Sequence, residues 1–373
     1  MFDCHRKIAL YVLPLILVIA PVICYSQDTI QSQKKSFLKN TSIGTRFYYG
    51  SFITPSSKLE YVRDSYTSFG EVYLQYQMKG NKHWQVTHKY PQWGVSFLYG
   101  NTGSRQYIGN MRAAYAYINT PLLKSGNYTS SFLFGAGPGW INKPYDIYTN
   151  PKNTIIGSKF NAFIHLMLQN EIKITDRFFV NANLSFMHLS NGGATLPNLG
   201  LNIPVFSAGL RYAFSDPVIE TKPISEKFRK KTTYKIYTTI GVKQWPWVGS
   251  NTYLINTVQL EAGRQISYNN SYGAGIIFFY DRTLSHYASE ANSKPPHRNK
   301  LQAGVYGSYE HFFGKLSFPM QAGAYVYNRY KSPVLFQQIG MRFHLTKHLS
   351  TEILLKTHMG KADFIHTGIG YNF

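Results

Sequence analysis

The chain has 373 residues, 39 Lys+Arg against 17 Asp+Glu, and a formal net charge of +22. It is rich in Tyr (30) and Phe (25), and its two cysteines, Cys4 and Cys24, both lie in a segment that reads as a removable export signal. Disulfide frameworks, zinc–thiolate centres and cysteine nucleophiles are therefore excluded from the mature chain. Nucleic acid is excluded as partner by the same signal, which leaves an anionic lipid surface or solvated loop lysines to account for the charge.

The first 26 residues have the layout of a secretory signal peptide. Arg6 and Lys7 open it, Ile8 to Ile23 is apolar and broken by Pro14 and Pro21, and Cys24-Tyr25-Ser26 places small residues before Gln27. Cys24 as a lipid anchor is disfavoured by the bulk of Ile23. No later stretch is apolar over the length a membrane helix needs, about twenty residues.

From residue 42 onward the pattern alternates with period two, as half-buried strands do. Eight strands are expected near 42–54, 68–79, 92–100, 107–119, 128–140, 157–173, 177–190 and 203–214, with Thr175-Asp176 as a tight turn. In the seventh, Phe178, Val180, Ala182, Leu184 and Phe186 face one way and Asn181, Asn183 and Ser185 the other. In the eighth, Phe206, Ala208, Leu210, Tyr212 and Phe214 oppose Ser207, Gly209 and Arg211.

Residues 215–232 contain Pro217, Pro223 and the basic run Lys227, Arg229, Lys230, Lys231, a linker composition. Eight further strands follow near 233–243, 251–264, 270–282, 299–312, 315–327, 334–345, 348–357 and 364–373. On the first of these, Tyr234, Ile236, Thr238, Ile240 and Val242 oppose Lys235, Thr239 and Lys243, which calls for a wet interior.

These features predict an all-β transmembrane antiparallel barrel, apolar outside and polar inside with aromatic girdles. Both halves end on an alternating aromatic segment, Arg211-Tyr212-Ala213-Phe214 and Gly370-Tyr371-Asn372-Phe373. That points to two tandem eight-stranded barrels, 27–214 and 233–373, with one wider barrel of about 14–16 strands as the alternative. The expected location is the bacterial outer membrane.

His188 and Ser190 share a face because strand side chains repeat every second residue. That face is the one carrying Phe178 to Phe186 at even positions, so both groups are expected on the lipid side near the strand end. A polar pair held there is costly without a purpose. An imidazole beside a hydroxyl is the base and nucleophile pair for ester cleavage. In the turn Ser190-Asn191-Gly192-Gly193, the amide of Asn191 and a glycine N–H are placed to meet a developing oxyanion. Taken alone, the same residues also suit an ordinary strand end and turn.

His188-Leu189-Ser190-Asn191-Gly192-Gly193, followed by Pro197-Asn198 and Gly200, resembles the signature of PagL-type lipid A 3-O-deacylases and related acyloxyacyl hydrolases. The resemblance spans roughly 43–214 and is strongest over 186–214. It implies an outer-membrane barrel that hydrolyses an ester-linked acyl chain of lipopolysaccharide at its lipid-facing wall, without a cofactor or metal. It also implies roles: His188 as base, Ser190 as nucleophile, Asn191 and Gly193 as oxyanion donors, and Asn198 as a brace for the loop. The family's third catalytic member is a glutamate, and the matching position here is Asn202. An amide oxygen can orient an imidazole but cannot offset its positive charge. Glu171 has the wrong strand parity to replace it. Lipid A and the outer membrane are the expected partners, with a homodimer left open and no nucleic acid.

Other candidates carry less. Lys356-Thr357-His358-Met359-Gly360-Lys361 echoes the motif with glycine in the place of serine, and His358 is expected to face away from Ile353, Leu355 and Thr357. The second half is accordingly expected to be non-catalytic. His165 reads as a lumen residue, Trp245-Pro246-Trp247 as an interfacial anchor, and Asp146 and Tyr148 as loop residues. A channel or an inactive lipid-binding barrel remains the competing function.

Overall fold

Residues 38–215, 228–245, 247–285, 300–329 and 333–373 are described by a computed structural model. The expected signal peptide and most of the expected linker, together with Pro246 of the Trp-Pro-Trp run, lie outside them. The first eight strands are β1 (Thr41–Gly50), β2 (Thr67–Gln77), β3 (Gln92–Asn101), β4 (Asn110–Ser125), β5 (Tyr128–Ile141), β6 (Phe160–Lys173), β7 (Phe178–Ser190) and β8 (Leu201–Ala213). The second eight are β9 (Lys231–Gln244), β10 (Thr252–Gln265), β11 (Asn270–Asp281), β12 (Leu301–Phe313), β13 (Leu316–Asn328), β14 (Leu335–His344), β15 (Leu349–His358) and β16 (Lys361–Asn372). Each set closes on itself, β1 on β8 and β9 on β16, so the architecture is two antiparallel barrels and not one wide one. Closure leaves no unpaired strand edge, which a bilayer demands.

Strand positions follow the alternation closely, and β4 departs most. It continues to Ser125 because Pro121 sits at a bulge, where its missing N–H does not interrupt the ladder. The turn after β6 is tied by Thr175, whose Oγ1 accepts from the N–H groups of Arg177 and Phe178.

Both barrels invert the usual distribution of polarity. Outward residues such as Phe47, Val72, Phe97, Leu184 and Phe206 are exposed and apolar. The interiors are polar but filled, as expected of eight strands. In the first barrel Arg46 pairs with Glu71 at 3.0 Å and donates to Gln169 at 2.8 Å. Tyr48, Ser96 and Tyr115 also donate to Glu71. His165 is in the lumen, between Tyr115 and Ser185. Glu171 points inward too and is paired with Arg211 at 2.6 Å.

The second barrel replaces the expected wet interior with a tight ion network. Lys235 bridges Glu261 at 3.1 Å and Glu310 at 2.6 Å, while Arg342 bridges Glu310 and Glu352, both at 2.9 Å. The guanidinium also lies over the Tyr237 ring, 4.1 Å from its centroid. Removing one partner of a buried pair leaves the others uncompensated, so Arg342→Met is expected to destabilise folding by about 3–5 kcal/mol. Urea unfolding in lipid vesicles, followed by tryptophan fluorescence, checks this.

The end of the first barrel that bears the β7–β8 loop is plugged differently. Here the inward positions are apolar: Phe163, Met187, Leu189, Leu201 and Ile203 are buried together. The strand ends whose outer faces carry His188, Ser190 and Asn202 are thus backed by a packed hydrophobic cluster, which holds them still.

The two barrels touch. Phe134 of β5 meets Phe318 of β13 edge-on, and Phe318 lies across from His311 in the β12–β13 ladder. At the opposite end from the β7–β8 loop, His88 in the β2–β3 connection lies 3.0 Å from His311 of β12 and packs on Phe313. Barrel strands tilt by roughly 35–45°, so a line of contact running straight up the wall passes from β12 and β13 at one end to β9 and β16 at the other.

Candidate active site

β7 and β8 are paired so that His188 lies directly across from Asn202. This register brings Nδ1 of His188 to 2.7 Å from Oδ1 of Asn202. With Oδ1 accepting, the Nδ1 position holds the proton and Nε2 is left with its lone pair, the tautomer a general base needs. Among the described residues no ion pair reaches His188, and its ring is held by Asn202. Asn202 is itself held through its carbonyl, which accepts from Ile53 N–H at 2.8 Å.

The outward parity of the even residues holds through β7. Phe178 to Phe186 are exposed at even positions, His188 is half-buried and Ser190 is 6% exposed. Ser190 and His188 therefore sit on the outer wall, two residues apart. The Ser190 hydroxyl makes no hydrogen bond among the described residues, to His188 or to any other group.

The loop that follows is organised by Asn191. Its Oδ1 accepts from the N–H groups of Gly193 (3.0 Å) and Thr195 (3.3 Å). Its Nδ2 donates to Ser158 Oγ (2.7 Å) and to the Thr195 carbonyl (2.9 Å). Its own N–H donates to Asn198 Oδ1 at 3.1 Å. The Asn191 and Gly193 amides are thus engaged inside the loop. Asn198 braces it and is in turn bridged to Ile156 of the β5–β6 loop.

Gly200 closes the loop onto the imidazole. Its φ is +77°, and a Cβ there would stand 2.7 Å from His188 Cε1. Gly200→Ala must therefore strain the backbone and push the ring off its partner. A displacement of this kind is expected to cost about 10²-fold in rate with the barrel still folded, as checked by gel mobility before and after heating alongside the turnover assay.

Ser158 and Gln244 are participants that the sequence reading did not single out. Gln244, at the end of β9, accepts from Leu196 N–H through Oε1 at 2.5 Å, and its backbone N–H donates to Gly193 O at 2.9 Å. Ser158 and Gln244 lie far from the motif in sequence and carry no local signal.

The remaining candidates have structural partners. His358 faces inward, with Nε2 2.9 Å from Tyr325 Oη. Asp146 accepts from the N–H groups of Thr149 and Tyr148, which hold its carboxyl below the ordinary range and make it a turn-former. Trp247 is exposed in the β9–β10 loop. Among the described residues no cluster of His, Cys, Asp and Glu suits a metal ion.

Comparison with known proteins adds two matches. Residues 69–211 match the family model of lipid A 3-O-deacylase (PagL), and residues 232–373 match that of the C-terminal domain of acyloxyacyl hydrolase. No curated protein matches the chain. Among solved structures, Neisserial surface protein A (NspA) is 8% identical over 47% of this chain and 97% of its own, with a TM-score of 0.33. The outer membrane protein Omp33 of Acinetobacter baumannii is 8% identical, covering 90% of this chain and 97% of its own, at a TM-score of 0.18. The Pseudomonas putida toluene transporter TodX is 8% identical over 89% and 88%, also at 0.18. Likenesses this distant say nothing of function.

Proposed function

The chain belongs to the PagL family of lipid A deacylases, an outer-membrane family, and from that premise we propose that it is a serine esterase acting on an ester-linked acyl chain of lipid A. The observation that carries the mechanism is the outward-facing pair His188 and Ser190 with Asn202 at 2.7 Å behind the imidazole. Ser190 Oγ attacks the ester carbonyl as its proton passes to His188 Nε2. Asn202 Oδ1 holds the Nδ1 proton and fixes the ring.

The tetrahedral oxyanion is met by the Asn191 and Gly193 amides. Both now donate to neutral amide oxygens, at 3.1 and 3.0 Å. A full negative charge is the stronger acceptor and displaces them. Collapse of the intermediate expels the sugar alkoxide, which takes the proton from His188. Water then enters, gives its proton to His188, and releases the fatty acid from Ser190.

The location of the pair suits the substrate. Both groups lie on the outer wall at the end where the longer loops gather, above a belt of exposed Leu184, Phe186 and Phe206 that lies level with acyl chains. The same loops expose Lys58, Arg105, Lys152 and Lys159, cations suited to lipid A phosphates. A channel would need an open lumen, whereas Arg46, Glu71, Gln169 and Arg211 occupy this one.

Mass spectrometry of lipid A from a host expressing the chain tests the proposal. Loss of one ester-linked acyl chain, with amide-linked chains intact, is the expected result. Unchanged lipid A in cells that hold the folded barrel would reject it.

A further inference from the structure

We infer that the second barrel is a positioning element for the active-site loop of the first, and that Gln244 is the residue through which it acts. This rests on the assignment of Ser190 as nucleophile. The loop 191–200 carries both proposed oxyanion donors and the glycine that abuts His188. On the first barrel it is tied through Ser158, Ile155 and Ile156. Its outer side rests on the second barrel.

The contacts are backbone-directed and closely spaced. Gln244 N–H donates to Gly193 O at 2.9 Å. Gln244 Oε1 accepts from Leu196 N–H at 2.5 Å, and its Nε2 is anchored to Ser250 O at 2.7 Å, which fixes the amide's orientation. Gln244 points outward from β9, towards what would otherwise be lipid, yet is buried. A polar side chain in that position needs a partner, and the loop supplies it.

Close packing adds a second constraint. Gly192 (φ +63°) has Ile365 of β16 where a side chain would stand, and a Cβ on Gly193 would meet the Asp363 carbonyl at 2.6 Å. The two glycines thus let the loop lie flat on the β9–β16 seam. The peptide whose N–H is proposed to meet the oxyanion is flanked by a carbonyl, Gly193 O, that the second barrel holds. Away from this loop the barrels meet again, through Phe134 on Phe318 and His88 on His311. Catalytic donors must be fixed within a fraction of an ångström by groups outside the reaction. Here the fixing group comes from a barrel that holds no copy of the serine.

The test uses the full chain in detergent–lipopolysaccharide micelles, with Gln244→Met and, separately, Ile365→Ala. Two readouts are taken per folded molecule: deacylation with kcat and KM resolved, and the rate at which a fluorophosphonate labels Ser190. Gln244→Met is expected to lower kcat by about 10- to 100-fold with KM nearly unchanged, and to slow labelling in parallel. Ile365→Ala is expected to do the same more weakly. A kcat and labelling rate equal to the unmodified protein's in folded Gln244→Met overturns the inference and leaves the esterase reading intact. A change confined to the yield of folded protein overturns it as well, because a merely structural contact would act that way. Failure of the unmodified protein to label at Ser190 overturns both readings.

Discussion

Ser190→Ala is expected to lower the rate of lipid A deacylation by at least about three orders of magnitude, the scale on which nucleophile replacements act. The barrel should remain folded. The Ser190 hydroxyl has no hydrogen-bond partner among the described residues, so its loss leaves no donor or acceptor stranded. The apolar cluster behind it, Met187, Leu189, Leu201 and Ile203, is untouched. The measurement is turnover of lipopolysaccharide by mass spectrometry, normalised to the fraction that migrates as folded barrel. A rate within tenfold of the unmodified protein's would remove Ser190 from the chemistry and leave His188 to activate water directly.

The second large effect concerns Asn202, the hydrogen-bond partner of the His188 ring. Asn202→Leu removes the acceptor from His188 Nδ1–H and frees the ring, for an expected loss of about 10²-fold. Asn202→Asp keeps nearly the same shape at the same 2.7 Å contact and adds a negative charge. A carboxylate there stabilises the imidazolium that forms as the serine proton moves, so kcat should rise by about 10-fold or more. A kcat at or below that of the unmodified protein would show that the amide is not the ring's orienting partner during catalysis.

Some of this was written plainly in the chain. Period-two alternation is a local property, and it recurs along the chain, so barrel class and most strand positions could be read directly. Parity carried furthest: with Phe178 to Phe186 outward, His188 and Ser190 had to be outward too. The chain could not show that the odd positions at the same strand end turn apolar to form a plug, although Met187, Leu189, Leu201 and Ile203 were in view. Both faces of that stretch are hydrophobic, and alternation cannot tell a lipid-facing residue from a plug.

What the sequence by itself determined was which side of each strand meets lipid, because one residue's step fixes its neighbours' directions. The tertiary structure decided who meets whom. Lys235 and Arg211 looked like residues needing water, and closure gave them Glu261, Glu310 and Glu171 instead. The tilt of the strands in both barrels and the packing of one wall on the other placed Gln244 against Leu196 across 48 residues of chain. Such contacts depend on how two closed sheets settle together, and no local pattern encodes that.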